Sequence, residues 1–220
     1  AGEPEAMTWV IELIQNEIPE AQIAIDSANP EAVEAGFKAH QGRALLNSIN
    51  MEKERMESII PLIREHKPRV IGLTIDDNGV TQDADKRFDL GVQLIELLTK
   101  NDIDLDDIFI DPLIFPVSAE LQAGNVSLNI MGRLKEQYPG VHMVCGLSNI
   151  SFGLPERKLI NQVYMMMAMG RGLDAAIIDP LDKRMMASII TARTLLGQDK
   201  ACKGYLKAYR SDGLNLELVP

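Results

Sequence analysis

FIDPLIFP, residues 109–116, sets one acid, Asp111, among apolar neighbours and places a proline directly behind it. The wider segment DIFIDPLIF (107–115) has strand length and is continuously apolar apart from its acids. That pattern marks a strand covered on both faces, as in a parallel sheet, where no alternation with polar residues is needed. Five more segments share it: AQIAID (21–26), RALLNS (43–48), RVIGLTI (69–75), HMVCGLS (142–148) and DAAIID (174–179). Each closes on a polar or turn residue.

Stretches with a 3.6-residue period lie between them, over 5–18, 30–39, 51–66, 84–100, 118–137, 158–172 and 182–197. Asn29 before Pro30-Glu31 is a cap followed by proline in the first helical position. The chain therefore reads as one helix followed by six strand–helix units. Buried strands alternating with helices demand parallel pairing through crossovers, which leaves a doubly wound sheet or a (β/α)8 barrel. Neither G-x-G-x-x-G after the first strand nor G-x-x-x-x-G-K-[ST] occurs, so the nucleotide-binding open sheets lose support. The expected fold is an α/β (β/α)8 TIM barrel. Six units fall about two short of eight, so the first two β/α units are expected to be missing. Residues 1–220 then form a single barrel domain, incomplete at its N-terminus.

Composition excludes several functions. The chain carries 22 Lys and Arg against 32 Asp and Glu, a formal net charge of −10, which offers no basic face for nucleic acid or anionic membrane. The sequence has no run of about 18 apolar residues and no signal pattern. A cytoplasmic protein is expected, with Cys145 and Cys202 as reduced thiols, Cys145 being a small buried residue. His40, His66 and His142 lack ligand spacing, so no metal site is expected. No lysine ends a strand and no G-x-S-x-G elbow is present, which disfavours Schiff-base and serine-nucleophile chemistry.

What the strand ends do offer is acids and amides: Asp26, Asn47, Thr74, Asp111, Ser148 with Asn149, and Asp179. In a barrel these ends form one rim, where groups from different strands converge. A carboxylate accepts two parallel N–H bonds from an amino-pyrimidinone edge, and an asparagine supplies a donor and an acceptor together. A pterin has such an edge. The apolar flanks and the following proline suit Asp111 to be a fixed, partly buried acceptor.

IDSANPEAVEAG (25–36), LLNSIN (45–50), IGLT (71–74), IDPLIFP (110–116) and GLSNISFGLPERKLIN (146–161), in this order, resemble the methyltetrahydrofolate:corrinoid protein methyltransferases. That family lies in the pterin-binding barrel group with dihydropteroate synthase and the folate domain of cobalamin-dependent methionine synthase. The resemblance implies an enzyme exchanging a methyl group between N5 of methyltetrahydrofolate and the cobalt of a corrinoid (cobalamin) carried by a partner protein. Position by position, it implies that Asp26, Asn47 and Asp111 hold the pterin ring. Asn149 contacts N5, Gly146 and Ser148 belong to the same loop, and Arg157 and Ile177 are neighbouring ligand contacts. A homodimer and the absence of a protein-bound metal are implied by the same resemblance. The family's Glu-Arg-Ile-Asn-like and Asp-x-Asn-x-Gly segments, from its first two strands, do not occur here.

Plainer roles exist for each residue. Asp26, Asp111 and Asp179 suit turn-forming acids at strand–helix junctions, and Asp179-Pro180 fits that role best. Asn47 and Asn149 suit loop starts, and Arg157 a solvated charge opening a helix. The methionines of YMMMAMG (164–170) read as packing residues, Trp9 as helix packing or a subunit contact, and the acids of 102–107 as a solvated loop. Two other functions fit a pterin site: condensation like that of dihydropteroate synthase, which needs a basic diphosphate pocket, and folate binding without catalysis.

Overall fold

The computed structural model describes residues 2–214, so residue 1 and residues 215–220 of the expected 1–220 domain lie outside the described residues. In chain order the elements are α1 (Glu3–Glu17), β1 (Ala24–Asp26), α2 (Pro30–Ala39), β2 (Leu45–Met51), α3 (Lys53–His66), β3 (Arg69–Asp76), α4 (Ala84–Lys100), β4 (Ile108–Asp111), α5 (Ala123–Gln137), β5 (His142–Met143), α6 (Arg157–Met169), α7 (Lys183–Leu195) and α8 (Lys203–Arg210). Short 3-10 turns occupy Leu105–Asp107, Leu147–Ser151 and Lys200–Cys202. Side-chain caps fix several helix starts: Asn29 accepts from Glu31 N, Asp83 from Asp85 N and Lys86 N, and Asp182 from Met185 N. Each satisfies amide groups that the first turn leaves without partners.

The chain divides into two compact units, Ala1–Pro112 with Arg133–Val144, and Leu113–Gly132 with Cys145–Pro220. The first unit holds a five-stranded parallel sheet in the order β1-β2-β3-β4-β5. Doubly wound sheets reverse strand order at a switch point; this order runs straight through, as in a barrel.

Register separates the two faces of that sheet. Ile25, Leu46, Val70 and Ile108 are paired across four strands, and all are fully buried. Alternation along a strand puts Gly72 and Ile110 on the same face. Helices cover it. A Cβ on Gly36 of α2 would lie 3.0 Å from two atoms of Ile25, and one on Gly72 would lie 3.3 Å from Ile110 and 3.4 Å from Leu94 of α4. The opposite face carries Asp26, Asn47 and Ile71 at one level and Leu73 with Asp111 one pleat further on. Below the strands, Asp107 joins Arg43 Nη1 at 2.7 Å and Arg69 Nε at 3.7 Å, linking the N-terminal ends of β2, β3 and β4.

In the second unit α6 packs on the Leu147–Ser151 turn and on α7, and α7 on α8. Asp199 accepts from Gly204 N and Tyr205 N at 2.9 Å each, and from Thr194 Oγ1 at 3.2 Å.

Several expectations change. The strand expected over 107–115 ends at Asp111: Pro112 has no N–H for the ladder, and Leu113 takes a positive φ of 56°. The strand of 142–148 stops at Met143 and gives way to the 3-10 turn at Leu147. The segment 174–179 is no strand; a single parallel bridge, Gly146 with Ile177, remains of it. Helix α8 had no expectation. Trp9, read as helix packing or a subunit contact, is 63% exposed, and Asp107, ion-paired, is buried rather than solvated. Of the methionines, Met165 and Met169 are buried and Met167 is half exposed.

Candidate functional site

Backbone periodicity groups three of the candidate residues in the sheet unit. Asp26, Asn47 and Asp111 fall on one face, the face turned from α2 and α4; Asp26 and Asp111 end β1 and β4, while Asn47 lies within β2, just before the register shifts. Asp26 and Asn47 are register partners, and Asn47 Nδ2 donates to Asp26 Oδ2 at 3.1 Å. The peptide joining Asn47 to Ser48 is cis. Both residues line a polar cavity of about 420 Å³ together with Ser27, Ser48, Glu52 and Arg55. Asp111 is 9% exposed, and its carbonyl accepts from Thr74 Oγ1 at 3.2 Å. The carbonyl of the next residue, Pro112, accepts from the buried Arg87 Nη1 at 3.0 Å.

The second unit carries the remaining residues. Gly146 and Ile177 form the bridge already described, with Ile177 N donating to Cys145 O at 2.9 Å. Ser148 and Asn149 stand exposed in the 3-10 turn, whose backbone closes through Asn149 N to Gly146 O at 3.3 Å. Asn149 Nδ2 lies 3.5 Å from where a Cβ on Gly146 would sit. Ser148 and Ile177 border a cavity of about 400 Å³ that also meets Lys158, Asn161, Asp179 and Asp182.

Arg157, expected beside a ligand, makes its own bonds to the turn: Nη2 to Ser148 O at 2.7 Å and Nε to Ser151 Oγ at 3.1 Å. Asp179, left outside the expected site, accepts from Leu181 N at 2.8 Å and so shapes its own turn. Cys145 is buried, as expected.

A common device holds these loops. Arg55, Arg87 and Arg157 each donate to main-chain carbonyls beside a candidate residue. Sequence reading missed Arg55 and Arg87, because a guanidinium bound to carbonyls has no partner side chain to signal it. Burial pulls the Arg55 guanidinium below its ordinary value, and the Asp26 and Glu52 carboxylates oppose that shift.

Among the described residues, no group of three or more His, Cys, Asp or Glu is placed to share a metal ion, and no helix is long and apolar enough to cross a membrane.

Comparison with known proteins speaks to family and fold. The family model described as "pterin binding enzyme" matches residues 2–179. The methylcorrinoid:tetrahydrofolate methyltransferase of Eubacterium limosum is 35% identical over 211 residues, which cover 94% of this chain and 77% of that protein. Methionine synthase of Mycobacterium tuberculosis is 33% identical over 168 residues, 71% of this chain but only 14% of that longer protein. Among solved structures, Yersinia pestis dihydropteroate synthase with a pterine-sulfa conjugate superposes with a TM-score of 0.68 at 14% identity, over 88% of this chain and 76% of that one. Likeness at that identity speaks for the fold, of TIM-barrel type. The family match and the relative at 35% identity speak for descent. The chain thus belongs to the pterin-binding enzymes and, within them, to the methyltetrahydrofolate:corrinoid protein methyltransferases.

Proposed function

We propose that the protein moves a methyl group between N5 of methyltetrahydrofolate and the cobalt of a corrinoid carried by a separate protein. In this reading the parallel sheet is an arc of a (β/α)8 barrel, and Asp26, Asn47 and Asp111 receive the pterin. The observation that carries the reading is the hydrogen-bonded Asp26–Asn47 pair, register partners on adjacent parallel strands. It sets a carboxylate acceptor beside an amide, the complement of a flat ring that presents N–H groups and acceptors along one edge. The name of the Eubacterium limosum relative, which pairs a methylcorrinoid with tetrahydrofolate, supports the same chemistry.

Removing a methyl cation from a tertiary amine leaves a poor leaving group unless N5 gains a proton or a strong hydrogen bond as the bond breaks. Asn149 is the residue for that task. An amide aimed at N5 stabilises charge where it changes, which speeds the step rather than merely tightening binding. The proton itself arrives through water. Arg157 keeps the turn of Asn149 in shape through the Ser148 carbonyl and Ser151 hydroxyl. Ser148, Gly146 and Ile177 border the ligand in this reading, and the enzyme works as a homodimer in the cytoplasm.

The test is spectroscopic. Cob(I)alamin, methyltetrahydrofolate and the protein together should give the absorbance of methylcobalamin, and methylcobalamin with tetrahydrofolate the reverse change. Absence of both, with turnover of a pteridine diphosphate instead, would favour a dihydropteroate synthase-like condensation; folate binding with neither reaction would make the chain a binding module.

A further inference from the structure

Arg55, on α3, makes four hydrogen bonds to three main-chain carbonyls. Nε and Nη2 donate to Ser48 O at 3.0 and 2.7 Å, Nη2 also to Ser27 O at 3.0 Å, and Nη1 to Ala28 O at 3.0 Å. Ser27 and Ala28 directly follow Asp26, and Ser48 directly follows Asn47. Because every acceptor is backbone, these bonds fix the main chain just past Asp26, where β1 ends, and just past Asn47, within β2. The 3.1 Å contact between Asn47 and Asp26 exists only while those two main-chain positions stay level. A planar fork with five donors suits this duty, whereas an ammonium is a point charge on a flexible stem. The guanidinium stays charged, and it lines the same cavity as Asp26 and Asn47.

We propose that Arg55 is a positioning residue for folate binding: it clamps the backbone just after Asp26 and just after Asn47, and so holds carboxylate and amide in the arrangement that receives the pterin. The inference rests on the reading of Asp26 and Asn47 as pterin ligands. In this proposal Arg55 acts through Asp26 and Asn47, so its loss affects binding and leaves the chemical step.

The experiment measures KM for tetrahydrofolate and kcat at saturating folate with the full chain. Arg55→Lys, which keeps the charge and loses the fork, is expected to raise KM about tenfold and to change kcat less than about threefold. Added guanidine at millimolar concentration is expected to restore part of the affinity of Arg55→Ala. In a chain already carrying Asp26→Ala and Asn47→Ala, Arg55→Lys should cost less than about twofold more, since nothing remains to be positioned. A wild-type KM for Arg55→Lys, or the same loss in both backgrounds, overturns the proposal and leaves Arg55 a stabilising residue. Should Arg55→Lys show no cooperative melt, Arg55→Gln takes its place in the same comparisons. If Asp26→Ala with Asn47→Ala leaves KM unaltered, the ligand reading itself falls and the proposal with it. If that pair raises KM and Arg55→Lys does not, the proposal falls alone.

Discussion

Asn149 and Asp111 were both legible as polar residues at strand ends, yet the two differ in what their loss should do. Asn149→Ala is expected to slow methyl transfer by about a hundredfold, the scale for removing one donor from a developing charge, with folate affinity changed far less. Single-turnover kinetics beside equilibrium binding separate the two effects, and equal losses in both would contradict the role. Asp111→Asn keeps the shape and exchanges an acceptor-only group for a mixed one. It should weaken folate binding by about 1–3 kcal/mol, seen by calorimetry, while kcat at saturation holds. What the sequence withheld at this scale was the bracing. Arg157 was legible as a charge beside a loop, but its bonds to Ser148 and Ser151 depend on a 3-10 turn that no short motif announces. Asp179, the acid whose sequence best fitted a turn, does hold its own turn, because a side chain two residues from an amide competes for it in a strand-end loop.

The helices α2 and α4 were expected over the residues they occupy, since a 3.6-residue period marks both and Asn29 caps the first. Strands were harder. Periodicity cannot tell where a continuous apolar run leaves the sheet, so Pro112 and the left-handed Leu113 decided the end of β4, and 174–179 kept only one bridge. Packing at the α2–β1 contact gives a prediction of sign. Gly36→Ala gains about 1 kcal/mol of helix propensity, but its methyl would meet Ile25 at 3.0 Å and Met7 at 3.1 Å. Overpacking of about 1–3 kcal/mol outweighs that gain, and thermal melting should fall by several degrees. At α8, hydrogen bonds from Gly204 N and Tyr205 N hold the Asp199 carboxyl below its ordinary 3.8. A depressed folded value stabilises above the unfolded value and loses that contribution as pH falls through the folded one. Asp199→Asn should therefore lower the melting temperature at neutral pH, with the difference shrinking as pH falls below the ordinary carboxyl value of 3.8.

For the molecule as a whole, the straight strand order and the one-sided placement of Asp26, Asn47 and Asp111 were implied by buried strands alternating with helices, and the register supplied what sequence could not: which residues share a level. A ligand bound only by the folded chain raises stability by mass action. Tetrahydrofolate at a hundredfold above its dissociation constant should add about 2.7 kcal/mol, and Asp26→Ala should abolish the rise in melting temperature at the same concentration. Asp107, with Arg43 and Arg69, sits at the other extremity of the same strands. That trio is a foundation remote from the edge that carries Asp26, Asn47 and Asp111. Engineering for heat tolerance therefore has a natural place to work, since the base of the sheet can be strengthened or weakened while selectivity for the substrate is left alone.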